Sequence, residues 1–141
     1  MDVRVYRDSD EQAVVELWNR INPDPSPWNL PRDDIARKLR VQRELFIVAE
    51  IDGVIVGTAM GGWDGHRGWV YSVAVSPDHR REGIGTALMR RVERDLELMG
   101  CHKLNLQVRG SNVKAVTFYE SLGYSTEDRV SMGKRLEEDL G

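Results

Sequence analysis

The sequence lacks three features that would assign it to a special class of protein. It holds one cysteine among 141 residues, so no disulfide can form within the chain, which favours an intracellular protein. It has no apolar run of about 18 residues and no apolar stretch at its start, so neither a membrane span nor a secretory signal is predicted. Its net charge of −3 argues against a general nucleic-acid binder. We therefore expect a cytoplasmic protein that binds neither membranes nor nucleic acids.

What the sequence does contain indicates one folded domain. Hydrophobic residues make up 40% of the chain, and a chain of this length buries roughly two thirds of the surface that its unfolded form exposes. It needs neither disulfides nor a structural metal, and its histidines show no metal-ligand spacing. We find no repeat, linker or low-complexity tract. Residues 1–141 are therefore predicted to form a single domain that binds no metal.

The spacing of apolar residues predicts an α+β fold. Alternating or β-branched runs predict strands at residues 3–7, 45–51, 54–60, 69–75 and 104–108, followed by one or two last strands over 124–136. Helical spacing predicts helices over 9–21, 31–43, 84–99 and 112–122. The strand, helix and strand over 69–108 form a crossover, so these two strands should be parallel. We expect a mixed, largely antiparallel sheet of six to seven strands with about four helices.

The most informative stretch follows the strand over 69–75. A basic turn over 76–82 leads to Gly83 and Gly85, which open a long amphipathic helix. The first backbone N–H groups of a helix have no internal partner and bind anions, and glycines let a ligand approach them closely. This predicts a pyrophosphate site, with a plain tight turn and solvated arginines as the alternative. A Rossmann fingerprint is excluded by Leu88, and a P-loop by the absence of a lysine.

Two motifs resemble the GNAT superfamily of acyl-CoA-dependent N-acyltransferases. The family signature Arg/Gln-x-x-Gly-x-Gly/Ala is similar to Arg80, Gly83 and Gly85 at the same spacing. A second family motif is matched by the following residues: Asn112, Ala115, Tyr119, Gly123 and Tyr124. Residues 60–68 further resemble small bacterial acetyltransferases of the YpeA type. The resemblance covers nearly the whole chain and implies a GNAT-like fold, in which the central pair of parallel strands is splayed.

The resemblance implies that the chain binds acetyl-CoA as its acyl donor. The strand over 73–75 would pair with the pantetheine arm, and the N–H of Val75 would stabilise the oxyanion formed when an amine attacks the thioester. Asn112 would contact the pantetheine. Lys114, Arg80 or Arg81 would contact the phosphates. The implied cofactor-binding residues are Val73, Ala74, Val75, Arg80, Arg81, Glu82, Gly83, Ile84, Gly85, Thr86, Asn112, Lys114 and Tyr119.

Tyr119 resembles the family's general acid, which protonates the departing CoA thiolate. A phenol with an ordinary pKa of about 10 is a competent donor to a thiolate whose parent pKa is about 8.5. The alternative is a core tyrosine whose hydroxyl has an incidental partner.

A general base is harder to identify from the sequence. Many members of the superfamily carry a glutamate where this chain has Trp69 or Gln107, and neither residue accepts a proton. The remaining candidates are Glu50, Asp64, His66 or a water chain. Glu50 could equally be an exposed hairpin residue, and Asp64 and His66 could equally cap a loop turn.

The sequence thus favours an N-acetyltransferase that transfers acetyl directly from acetyl-CoA to a primary amine, with a peptide N-terminus, a lysine or a small metabolite left open as acceptor. The rival, motivated by Trp69 and Gln107, is a non-catalytic acyl-CoA-binding or regulatory protein, and a third hypothesis is a plain structural domain. Trp28 either lines the acceptor pocket or anchors the core. Cys101 is predicted to be a small buried residue, and Arg90, Arg91 and Arg94 a solvated helix face, from which Arg90 or Arg91 could reach the nucleotide. A homodimer is common among proteins of this type.

Overall fold

The computed structural model describes residues 1–137, which fall into two compact units. The first unit spans Met1–Leu106 and the second begins at Gln107. The single domain over 1–141 stays a prediction, and its last four residues lie outside the described part of the chain.

The first unit is built on a five-stranded sheet. The strands are β1 (Asp2–Val5), β2 (Phe46–Ile51), β3 (Val54–Trp63), β4 (Gly68–Val75) and β5 (Leu104–Asn105), in the spatial order β1-β2-β3-β4-β5. Neighbouring strands are antiparallel except β4 and β5, which are parallel. The crossover predicted from the sequence is therefore confirmed.

Residues 1–137 contain four α-helices. They are α1 (Glu11–Ile21), α2 (Pro31–Lys38) and α3 (Ile84–Leu98) in the first unit and α4 (Val113–Ser121) in the second. The second predicted helix, expected to end near Arg43, ends at Lys38, and Gln42 then adopts a left-handed backbone with φ 51°. The expected number of helices and the α+β fold class are confirmed.

The number of strands was predicted wrongly, since the described sheet has five strands rather than six to seven. No strand forms over residues 124–137, where Val130, Met132 and Leu136 are 87%, 90% and 92% exposed. Alternating apolar residues make a strand only when one face is buried, and these side chains are not. The strand expected over 104–108 ends at Asn105.

The helix α3 packs closely against the middle of the sheet because glycines face it. A Cβ built on Gly57 would lie 2.9 Å from Ile84 Cγ2 and 2.9 Å from Leu88 Cδ1, and one on Gly61 would lie 2.9 Å from Val92 Cγ1. The small residues on β3 therefore set how close α3 approaches the sheet.

The opposite face of the sheet carries an aromatic core. The rings of Tyr6 and Phe46 are stacked with their centroids 4.4 Å apart, and the Trp18 ring lies 6.3 Å from Phe46. Val14 and Ile35 bring α1 and α2 onto this cluster. The two helices are thereby fixed over β2 and β3.

The prediction for Cys101, just after α3, is confirmed, whereas the prediction for Arg91 on α3 is wrong. Cys101 is 8% exposed, as predicted, and its thiol lies 3.3 Å from the carbonyl oxygen of Lys103. Arg91 was predicted to be solvated, but its Nη1 donates to the carbonyl of Val3 at 2.9 Å and its Nε to Asp95 at 2.8 Å. Sequence spacing placed Arg91 off the apolar face of α3, but not next to β1, whose backbone supplies the acceptor.

Candidate active site

One edge of β4 is paired along its length and the other is mostly open. Within the described residues, β5 pairs with β4 only through Gly68 and Trp69. The rest of β4, as far as Val75, therefore has no strand partner on that side. The N–H of Ser76 donates to the carbonyl of Val56 on β3 at 2.7 Å. Because successive N–H groups alternate in direction along a strand, the N–H of Val75 points away from β3, towards the open edge.

A bulge interrupts β4 near its middle. Thr58 pairs with Ala74 and Met60 with Tyr71, so β4 spends three residue steps where β3 spends two. Ser72 lies in this interval and has a left-handed backbone with φ 51°. A bulge re-aims the backbone groups on either side of it. The sequence gives no sign of it, because serine is not a residue that favours this conformation.

The bulge rests on two side chains that the sequence did not single out. Thr58 is fully buried, and its hydroxyl donates to the carbonyl of Ser72 at 2.8 Å. The same hydroxyl accepts a hydrogen bond from the indole Nε1 of Trp18 at 2.9 Å. A chain of two hydrogen bonds therefore connects α1, β3 and β4.

The N-terminus of α3 follows directly on the end of β4 and a 3₁₀ turn over Pro77–His79. The first intrahelical bond runs from the N–H of Ala87 to the carbonyl of Gly83 at 3.0 Å, so the N–H groups of Ile84, Gly85 and Thr86 have no acceptor within the helix. Gly83 supplies no capping side chain and has φ 78°. The helix dipole adds partial positive charge at this end.

The surroundings of this helix end suit an anion. Arg80 and Arg81 are exposed, and Arg81 has a left-handed backbone with φ 67°. A Cβ built on Gly83 would meet no atom within 4 Å, so the backbone there is open to a ligand. The carboxylate of Glu82 lies 3.1 Å from Nδ1 of His79. Because His79 engages this carboxylate, a ligand would contact the main chain of Glu82 and the neighbouring guanidinium groups.

The C-terminal end of α1 is tied to the same corner. Arg20 lies 3.1 Å from the carboxylate of Asp78 and 3.5 Å from the hydroxyl of Ser76. Ser76 is 4% exposed, and its hydroxyl accepts the N–H of Asp78 at 3.3 Å. The connection between α1 and α2 therefore starts beside the end of β4. Trp28 lies on this connection and is 38% exposed.

Glu50, a candidate general base, lies in an ion-pair network on the outer strands. Its carboxylate is 3.0 Å from Arg4, which also binds Asp10 at 2.8 Å and 3.0 Å. The two carboxylates raise the pKa of Arg4. Burial opposes ionisation of Asp10, but hydrogen bonds from Arg4 and from the Arg7 backbone lower its pKa below 3.8. Glu50 is therefore engaged in an ion pair, on a strand that β3 separates from β4.

Asp64 and His66 lie in the turn between β3 and β4, at the opposite end of β4 from Val75. One carboxylate oxygen of Asp64 accepts the N–H groups of Arg67 and His66, both at 2.8 Å. These two hydrogen bonds lower the pKa of Asp64. The arrangement agrees with the interpretation that this aspartate caps a turn.

The remaining candidates lie in the second unit. Asn112 caps α4, since its side-chain oxygen accepts the N–H of Ala115 at 3.1 Å, and Lys114 is exposed. The ring of Tyr119 meets Tyr124 edge-on at 5.9 Å, and burial raises the pKa of Tyr119 above 10. The phenol therefore keeps its proton throughout the neutral range.

Comparison with known proteins agrees with this geometry. A sequence profile of the acetyltransferase (GNAT) family matches residues 11–124. A protein named acetyltransferase from Pectobacterium atrosepticum is 48% identical over 139 residues, which cover 99% of this chain and 98% of the relative. The ribosomal-protein-S18-alanine N-acetyltransferase from Escherichia coli is 27% identical with a TM-score of 0.73, covering 86% of this chain and 76% of that one.

A second solved structure shows the fold alone. It is an aminoglycoside N-acetyltransferase in complex with CoA, 19% identical with a TM-score of 0.80, covering 96% of this chain and 94% of that one. Within residues 1–137, every helix is too short or too polar to span a bilayer, and no three His, Cys, Asp or Glu side chains group as metal ligands. The absence of a metal cofactor stays a prediction.

Proposed function

We propose, because this chain belongs to the acetyltransferase (GNAT) family, that it transfers the acetyl group of acetyl-CoA directly to a primary amine. The observation that carries the proposal is the N-terminus of α3, where N–H groups without helical acceptors follow directly on the open edge of β4. A diphosphate at that helix end leaves the pantetheine arm free to run along β4. The thioester then reaches the backbone of the bulge.

The binding roles follow from this placement. The N–H groups of Ile84, Gly85 and Thr86 bind the pyrophosphate, with Arg80 and Arg81 as neighbouring cations. The backbone of Val73, Ala74 and Val75 pairs with the amides of the pantetheine, as a further strand would. Gly83 keeps the approach open, since a side chain there would meet the ligand first. Asn112 and Lys114 complete the proposed contacts, the first with the pantetheine and the second with a phosphate.

In the proposed reaction the neutral amine attacks the thioester carbonyl carbon. A C–N bond forms, the carbonyl oxygen becomes an oxyanion held by a backbone N–H on the open edge of β4, and the C–S bond then breaks. The CoA thiolate takes a proton from the phenol of Tyr119, and solvent water then returns a proton to the phenolate. Because burial raises the pKa of Tyr119, the phenol stays protonated at neutral pH and is ready to donate.

The amine loses its own proton to water in this proposal. Two turn hydrogen bonds hold Asp64 as a carboxylate with a lowered pKa, and such a weak base is a poor proton acceptor. Glu50 is paired with Arg4. The rate should therefore follow the fraction of acceptor amine that is unprotonated.

For the acceptor we propose an amine reached from the face of the sheet that carries α1 and α2. Arg20 ties the end of α1 to Ser76 and Asp78, so the connection bearing Trp28 begins beside the end of β4. A relative 27% identical acetylates an alanine of a ribosomal protein, which makes a peptide N-terminus the first acceptor to test. Lysine and small metabolite amines are the second and third.

The test measures CoA thiol release from acetyl-CoA with peptides bearing a free N-terminus, lysine peptides and small amines. Release with one of these classes, lost in Tyr119→Phe, supports the enzyme. The second candidate function is an acyl-CoA-binding regulator, favoured by Trp69 and by Gln107, whose amide donates to Ser131 at 2.5 Å. Tight acetyl-CoA binding without release across all three classes would support the regulator.

A further inference from the structure

The fully buried hydroxyl of Thr58 has its hydrogen-bond direction fixed by Trp18. An indole N–H only donates, so the Thr58 oxygen is the acceptor of the 2.9 Å bond from Trp18. The hydroxyl's own proton is therefore committed to its other partner, the carbonyl of Ser72 at 2.8 Å. The hydroxyl therefore accepts one hydrogen bond and donates one. Because Thr58 is 0% exposed, its hydroxyl does not face solvent.

The carbonyl that Thr58 holds belongs to a residue in a disfavoured conformation. Ser72 has φ 51°, a region in which a side chain clashes with the backbone. Its side chain is exposed and so gains little packing in return. The hydrogen bond from Thr58 compensates for this conformation and keeps the bulge in one arrangement.

Fixing this carbonyl also fixes the next N–H. The carbonyl of Ser72 and the N–H of Val73 belong to one planar trans peptide, in which they point in opposite directions. Since the carbonyl points to Thr58 on β3, the N–H of Val73 points away from β3, towards the edge that β5 leaves open. The N–H of Val75 faces the same edge, but only the regular alternation of the strand directs it.

We propose that Thr58, held by Trp18, is a positioning residue that aims the N–H of Val73 at the thioester carbonyl of acetyl-CoA. The inference rests on the proposed function and sharpens it, because it assigns the oxyanion contact to Val73 and leaves Val75 to pair with the pantetheine. A preorganised donor stabilises developing charge because it need not reorient during the reaction. Thr58 itself touches neither substrate nor oxyanion.

The test compares Thr58→Val, which keeps the shape and removes the hydroxyl, with Thr58→Ser, which keeps the hydroxyl. The direct measurement is the carbonyl stretching frequency of bound acetyl-CoA, taken as the difference between ¹²C- and ¹³C-labelled thioester carbonyls. A hydrogen bond to the carbonyl lowers this frequency. We expect the lowering in the wild type and in Thr58→Ser, and its loss in Thr58→Val, with kcat lower by roughly 10-fold or more and the Kd of free CoA within twofold of the wild type.

Two further variants separate positioning from stability. Trp18→Phe keeps a ring on Phe46 but removes the donor to Thr58, and we expect an intermediate carbonyl frequency. Val14→Ala truncates a fully buried side chain of the same aromatic core, so it lowers Tm while leaving the carbonyl frequency at the wild-type value. If Thr58→Val fails to fold, Trp18→Phe and Thr58→Ser still test the proposal.

The outcomes also distinguish this inference from the proposed function. Wild-type protein that fails to bind acetyl-CoA overturns both. If the wild type, Thr58→Val and Trp18→Phe all lower the carbonyl frequency by the same amount, the role of Thr58 is overturned. The proposed function then remains intact. A loss of frequency shift in Val14→Ala of the same size as in Thr58→Val also overturns it, because stability alone would then explain the change.

Discussion

Gly57 on β3 lies against Ile84, the first residue of α3, so closely that a Cβ at position 57 would stand 2.9 Å from Cγ2 of Ile84. It would also stand 3.1 Å from the carbonyl oxygen of Ala74 on β4. Both halves of the proposed CoA site, the helix end and the strand edge, are therefore packed against one glycine. The distance between the two halves depends on this residue having no side chain.

Gly57→Ala should therefore lower both stability and CoA affinity. Overpacking a filled core costs about 1–3 kcal/mol, and the displacement of Ile84 or Ala74 changes the spacing of the site. Gly62→Ala is the matched control on the same strand, because its Cβ would meet only Gln42 Oε1, at 3.7 Å. Urea unfolding and CoA calorimetry check both variants. Equal effects of the two substitutions would contradict the packing argument.

The Tyr119→Phe variant should bind CoA as the wild type does and turn over more slowly. Removing a general acid typically costs 10²–10⁴-fold in rate, and the phenyl ring keeps the edge-on contact with Tyr124. Because burial raises the pKa of Tyr119, no loss of activity from this group is expected in the neutral range. Tyr124→Phe is the matched control. Unchanged kcat in Tyr119→Phe would remove this tyrosine from the mechanism.

Removal of both ionisable side chains of the β3–β4 turn should leave the pH–rate profile unchanged. The pKa of Asp64 is lowered by backbone hydrogen bonds from Arg67 and His66, which makes it a turn cap and a weak base. Asp64→Asn and His66→Ala are therefore expected to retain the wild-type dependence of kcat/KM on pH. The loss of an ascending limb in either variant would identify the general base instead.

Asp10 should contribute stability that disappears in acid. Burial works against its charge, but the bonds from Arg4 and the Arg7 backbone outweigh it and lower the pKa below 3.8. A group whose pKa is lowered by folding stabilises the protein above its unfolded pKa, and this stabilisation is lost as the pH falls from 3.8 through the folded value. Asp10→Asn should abolish that part of the acid transition.

Substitution of Asp10 should destabilise the protein more than substitution of Glu50, which pairs with the same Arg4. Removing one partner of a buried ion pair costs about 3 kcal/mol, since Asp10 and Arg4 are 8% and 11% exposed. Glu50→Gln should cost about 1 kcal/mol or less, because its side chain is 27% exposed and solvent screens the pair. Unfolding in urea at pH 7 and at pH 3.5 measures the loss of stability in Asp10→Asn and in Glu50→Gln. Equal losses in the two variants would contradict the larger contribution assigned to Asp10.

Local patterns in the sequence were enough to predict the core of the fold. The helical spacing after Gly83, the crossover into Leu104 and the helical spacing after Asn112 each depend on residues close together in the chain, and the structure has all three elements. The anion site at the start of α3 is predicted from the same local signal and stays a prediction.

Features that depend on contacts between distant residues were not predictable. The bulge at Ser72 arises because Thr58, 14 residues earlier, holds its carbonyl, and no local preference of serine indicates it. Arg91 finds its acceptor on Val3, 88 residues away. The alternation around Val130 resembled a strand, but whether its face is buried depends on the rest of the chain.

The central claim is that the N-terminus of α3 binds the pyrophosphate of acetyl-CoA. The most direct measurement is an NMR titration of ¹⁵N-labelled protein with acetyl-CoA, following the amides of Ile84, Gly85 and Thr86, with S-acetylpantetheine, which lacks the pyrophosphate, as the control ligand. We predict saturable shifts of these three amides with the Kd found by calorimetry, and no comparable shifts with the control. Binding of acetyl-CoA that leaves all three amides unmoved, or no binding at all, would contradict the account.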